Sequence, residues 1–207
     1  MNRPIRARFW KKEEVEHRDL TKIIFGDDKE CIGIVLMLNP GSCKPKNGEE
    51  IPMFPGEVLL CDSDKTQDNV IDCVEGAYNN NAEGYVYIVN LSTVKDTKRK
   101  NLAIKDFSKS SIVVKEIDDI MEDSNNDVKW IWLGFGKKDS DLKTWKNEET
   151  RRYVFELKNV LINDLDKKYG KKVVGSSIDY FHPFCFCFKA NKNFKQKIIN
   201  EIRTLIQ

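Results

Sequence analysis

Apolar positions along this chain follow two periods in turn. Residues 31–38 are almost continuously apolar, as in a strand buried on both faces. Residues 85–89, Tyr-Val-Tyr-Ile-Val, form a second strand rich in aromatic and β-branched side chains, and residues 128–133 a third. Between them the spacing lengthens to that of a helix. Val70, Ile71, Val74 and Ala77 mark one face of a helix over 67–78 that begins near Thr66 or Asp68. Ile112, Val113, Ile117 and Ile120 mark another over 110–121. Tyr153, Val154, Leu157, Leu161 and Leu165 give a long amphipathic helix over 150–169, stopped by Gly170. A last one over 193–207 carries Phe194, Ile198, Ile199, Ile202 and Leu205. Residues 1–30 mix charges and aromatics, with a short helical pattern over 11–20, and are expected to pack on the edge of the core.

Strands separated by helices indicate βαβ units. The expected fold is therefore a single α/β domain over 1–207, a three-layer αβα sandwich around a mostly parallel sheet. Its strand ends converge on one edge, where open sheets of this kind bind ligands. The first strand runs into Leu38-Asn39-Pro40-Gly41, which joins a polar side chain to a ring-locked φ and a permissive glycine. By itself that tetrapeptide reads as a turn. Its companions give it chemical meaning: the second strand ends at Asn90, the third at Gly134-Phe135-Gly136, and residues 177–181 lead into His182-Pro183. A long loop over 41–63, with three prolines and three glycines, carries the aromatic Phe54.

Composition narrows the class. With 33% charged and 40% hydrophobic residues the chain is globular, and no apolar run approaches the roughly 20 residues of a membrane span. The N-terminus is basic with no apolar core behind it, so a cytoplasmic location is expected. The six cysteines lack zinc or cluster spacing, and Asp62, Asp64 and Asp68 lack the spacing of a metal loop. No metal and no cofactor are expected. Cys185 and Cys187 alternate with phenylalanines as packing in a strand would. A net charge of +2 is too mild to identify a partner, so local clusters matter more. Lys95, Lys98, Arg99 and Lys100 follow the second strand, Lys137 and Lys138 the third, and Lys189 and Lys192 the His-Pro segment. Any one of them reads as ordinary surface; together they lie beyond strand ends. His17 reads as surface, and Trp130, Trp132 and Trp145 as packing.

The order Asn-Pro-Gly, strand-end Asn, strand-end Gly and late His-Pro resembles the uracil-DNA glycosylase superfamily. It is also similar to a bacterial and phage domain of unknown function with a Leu-Asn-Pro-Ser opening motif and a late His-Pro. The resemblance spans about residues 31–190. It implies that Asn39 positions the attacking water, that Asn90 reads the base edge, and that His182 lies against the leaving base or a nearby phosphate. It further implies that Phe54 stacks on the base, and that Pro40, Gly41, Ser42, Gly134 and Gly136 line the pocket. Asp68, near a helix start, is kept as a minor site residue. Phe184 and Cys185 replace the small serines many members carry after His-Pro, and Ser42 and Cys43 replace the bulky tyrosine that excludes 5-substituents.

The function implied is hydrolysis of the N-glycosidic bond of a flipped-out altered pyrimidine, either uracil-like or a hypermodified phage base. The product is an abasic site, made in DNA repair or anti-phage defence. The lysines and Arg99 would hold the DNA backbone of the partner, DNA, with no membrane and with the chain as a monomer. Two other readings stay open: a non-catalytic nucleotide or modified-base binding module, and a hydrolase of free nucleosides or nucleotides.

Overall fold

Residues 3–95, 101–135, 145, 147–175, 183 and 192–207 are described by the computed structural model. The chain opens with a β-hairpin, β1 (Ile5–Lys12) and β2 (Val15–Phe25). Ile5, Ala7 and Phe9 are buried while Arg6 is exposed and Arg8 half-exposed, a period of two rather than the helical one expected over 11–20. The turn is Glu13-Glu14, both at positive φ (49° and 63°), which is type I′ geometry supplied by two residues that do not advertise it. Further along β2 the register passes from Arg6↔Lys22 to Arg8↔Asp19, and Leu20 takes φ 45° in the resulting bulge.

The remaining strands are β3 (Cys31–Met37), β4 (Val58–Cys61), β5 (Gly84–Asn90), β6 (Trp130–Leu133) and β7 (Val173–Val174). All seven join one mixed sheet in the order β4-β1-β2-β5-β3-β6-β7. The parallel sheet expected from the sequence occupies only the half β5-β3-β6-β7. The hairpin and β4 extend it by antiparallel pairing. Strand β4 lies inside the segment expected to be all loop, and β7 was not foreseen.

Helices cover both faces. On one side α1 (Lys65–Ala77) and α4 (Lys192–Ile206) pack over Val35, Met37, Val86, Ile88, Trp130 and Trp132. On the other, α2 (Ser110–Glu122) and α3 (Glu148–Tyr169) pack over Ile34, Leu36, Tyr87, Val89, Ile131 and Leu133. Alternate residues of β3 thus serve opposite cores, which is why its sequence is apolar without a break. Within β3, Gly33 is obligatory: a Cβ there would overlap the Trp130 indole, itself fully buried. Trp145 packs on Phe107, with ring centroids 6.1 Å apart. No helix among the described residues is long and apolar enough to cross a membrane.

Candidate functional site at the carboxyl edge of the sheet

Chain direction fixes where a ligand can enter. From β3 the chain crosses by α1 to β5 on one side, then returns by α2 to β6 on the other side of β3. The two crossing helices lie on opposite faces, so the connections part at the carboxyl ends of β3 and β6. Such a switch point leaves a crevice that secondary structure does not fill. Asn39 follows β3 there, and Gly134 follows β6.

Hydrogen bonds tie these strand ends together. Gly134 N donates to Leu36 O at 2.9 Å, and Leu91 N and Ser92 N donate to Met37 O and Leu38 O at 2.9 and 3.0 Å. Asn90 is paired with Met37, placing it one strand over from Asn39. Pro183, the described half of the His182-Pro183 pair, is buried at the same edge. A Cβ on Gly134 would lie 3.3 Å from Pro183 Cδ, and Asn69 Nδ2 in α1 donates to Pro183 O at 2.9 Å. Asn39 is half-buried and its Nδ2 donates to Pro40 O at 3.1 Å. Asn90 Nδ2 is buried with no hydrogen-bond partner.

The turn after β3 is held by Asp64. Asp64 is the N-cap of α1: its Oδ1 accepts from Thr66 N and Gln67 N, and its own N–H reaches Gln67 Oε1, a full capping box. The helix therefore begins earlier than expected. The other oxygen, Oδ2, accepts from Cys43 N at 3.3 Å and lies where a Cβ on residue 41 would sit, so Gly41 is required. Cap and loop are one device. Asp68 is half-buried in the first turn of α1, Pro40 is buried, and Ser42 is exposed. The N-terminus of α1, its Thr66 and Gln67 N–H groups capped by Asp64, thus lies beside the turn after β3.

Three expectations change. Lys95 is not a surface cation: its Nζ is 2.7 Å from Glu16 Oε2, its side chain is 7% exposed, and it lies over the Phe9 ring. A charge so committed is withdrawn from any phosphate. Phe54 is 80% exposed, two residues beyond Pro52, whose carbonyl accepts from Lys11 N near the end of β1. That anchor stands three strand spacings from β3, roughly 14 Å. His17 is half-buried, stacked on Trp10 at 5.0 Å, with Nδ1 3.0 Å from Thr93 Oγ1, and burial holds its pKa below the ordinary value. His182, Gly136, Lys98, Arg99, Lys100, Lys137, Lys138 and Lys189 lie outside the described residues, as do residues 177–181, Cys185 and Cys187 and the side chain of Lys192.

A cleft of about 950 Å³ lies between α2 and the hairpin and reaches Asn90 at the sheet edge; Arg8, Lys22, Tyr85, Tyr87 and Glu116 also line it. Arg8 pairs with Asp19 through two bonds of 2.9 and 2.7 Å, and Lys22 Nζ sits 3.9 Å from the Tyr85 ring centroid. Burial, reinforced by Asp19 and Asp119, pushes the Glu116 carboxyl up to about 7.

Sequence reasoning placed Asn39, Asn90 and Gly134 and missed Asp64, Gln67 and Asn69. The first two were legible as Asp-x-x-Gln before an apolar helix; Asn69 carried no local signal. The four described cysteines are free thiols, and no His/Cys/Asp/Glu cluster suited to a metal occurs among the described residues. No family model, curated protein or solved structure matches the chain.

Proposed function

We propose that this chain is a DNA glycosylase of uracil-DNA glycosylase type, hydrolysing the N-glycosidic bond of an altered pyrimidine. One observation supports the reading: residues far apart in sequence lie at one edge of the sheet, Asn39 and Asn90 at the ends of the neighbouring strands β3 and β5, with Asn69 of α1 bonded to Pro183. Base–sugar cleavage passes through an oxocarbenium-like state, with positive charge on the sugar and negative charge on the departing base. The amide of Asn39 does not take a proton at neutral pH, but its carbonyl orients a water toward a carbon already cationic. Asn90 supplies a buried donor for the base edge. His182, next to Pro183 in the chain, is assigned the hydrogen bond to the base oxygen where charge develops.

Incubation with uracil-containing, phage-modified and unmodified DNA, followed by detection of alkali-labile abasic sites, tests this directly. Cleavage of one altered substrate is expected; intact DNA throughout rejects the reading. The withdrawal of Lys95 into an ion pair favours a second reading, a pocket for a free nucleotide, because that pocket needs less basic surface. Tight nucleotide binding without DNA cleavage would establish it.

A further inference from the structure

Arg18 is 2% exposed, yet its Nε and Nη1 have no hydrogen-bond partner, and among the described residues it forms no salt bridge. A guanidinium does not shed its proton in a protein, and buried polar groups are nearly always bonded. An isolated buried guanidinium is therefore half of an interaction.

Its place in the fold says which half is missing. Arg18 pairs in register with Phe9, whose ring belongs to the core under α1. Thr21, fully buried with an unpartnered hydroxyl, pairs with Ile88 of the same core. Gln67, 1% exposed in the first turn of α1, has an unpartnered Nε2, and Asn90 at the end of β5 an unpartnered Nδ2. Cys43 and Cys61, at the root of the loop after β3, both lie near enough to feel the Arg18 charge, although their mutual hydrogen bond dominates, lowering the pKa of the Cys43 thiol and raising that of Cys61. Because β2 runs against its neighbour β5, its early residue Arg18 lies at the carboxyl edge; its N–H donates to Thr93 O, just past β5. Orphaned donors from β2, β5 and α1 thus share one sheet face and one edge. Three of the four offer only N–H, which demands an acceptor, and a buried guanidinium favours a negatively charged one.

We infer that Arg18, with Gln67, Asn90 and Thr21, forms an oxyanion subsite that binds a phosphate or carboxylate of the ligand. The inference rests on the reading of this edge as the ligand site. Two sources carry that chemistry: the phosphate of a free nucleotide, or an acidic substituent on a pyrimidine held in DNA. The donors themselves do not depend on which one enters.

Titration calorimetry on the whole protein separates them. The probes are inorganic phosphate, dUMP, deoxyuridine, and single-stranded oligonucleotides with and without one 5-carboxypyrimidine. Tighter binding of dUMP than of deoxyuridine supports a nucleotide phosphate; tighter binding of the carboxylated oligonucleotide supports a base-borne acid. In either case Arg18→Gln should weaken the charged ligand about 30-fold while leaving its neutral counterpart unchanged. Equal binding of charged and neutral partners by the wild-type protein overturns the subsite, and so does wild-type affinity in Arg18→Gln. The wild-type comparison decides the matter even if the variant does not fold. The abasic-site assay is independent of it. Anion binding that depends on Arg18 without DNA cleavage keeps the subsite and rejects the glycosylase. Cleavage with no preference for the charged ligand does the reverse.

Discussion

Asn69 and Pro183 are joined by a 2.9 Å hydrogen bond in which the buried Asn69 Nδ2 donates and Pro183 O accepts. The bond spans 114 positions of the chain and fastens the residue after His182 to the first turns of α1. Pro183 is also wedged against Gly134 at the end of β6. Replacing Asn69 by Ala leaves a buried carbonyl unpaired, at a cost of about 1–3 kcal/mol. Urea unfolding should show a lower midpoint with an unchanged slope. Turnover on the cleaved substrate should fall further than that loss explains, because the segment carrying His182 loses its anchor. A variant with wild-type midpoint would mean that the bond contributes nothing.

Asp64 links two functions that a single substitution can separate. Asp64→Ala removes the cap and the acceptor for Cys43 N together, and the cap alone is worth about 0.5–2 kcal/mol. Asp64→Asn keeps a good cap, so it should retain most of the stability. If the Ala and Asn variants unfold at the same urea concentration, the capping role is wrong.

How much of this was legible follows from what each signal depends on. Strands β3 and β5 and all four helices are written in local periodicity, and they appear where the pattern puts them. The hairpin was missed because its outward face is charged and its turn is Glu13-Glu14 instead of a glycine-containing pair. Asn39 and Asn90 were found because both end apolar strands. Arg18 was invisible for the opposite reason: it reads as one more charge in a charged segment, and only pairing with Phe9 takes it inside. Lys95 shows the same failure in the basic cluster, since its partner Glu16 is 79 positions away.

Glu116 makes a prediction about pH. Its carboxyl, half-buried at the cleft beside α2, titrates near 7 in the folded chain against an ordinary value of 4.5, chiefly because burial disfavours the charge. The folded state therefore holds a proton that the unfolded state has released between those two values. Stability from this group falls as pH rises through that window and is flat above it. Glu116→Gln should flatten the dependence and be the more stable protein at pH 8. Unfolding midpoints of both proteins from pH 4 to pH 8 would show this, and parallel curves would place the titration elsewhere.

Asn39 offers the sharpest chemical distinction. In the proposed reaction its amide holds water and touches no phosphate, so Asn39→Ala should lower turnover about 100-fold or more while DNA affinity stays near wild type. Asn39→Asp keeps the shape and adds a carboxylate that accepts hydrogen bonds more strongly, so it should recover turnover at neutral pH and lose it again on acidification. Single-turnover cleavage for rate and fluorescence anisotropy for binding separate the two quantities. Loss of binding in the Ala variant would make Asn39 a substrate-holding residue. Undiminished cleavage would move the water to another side chain at the crevice.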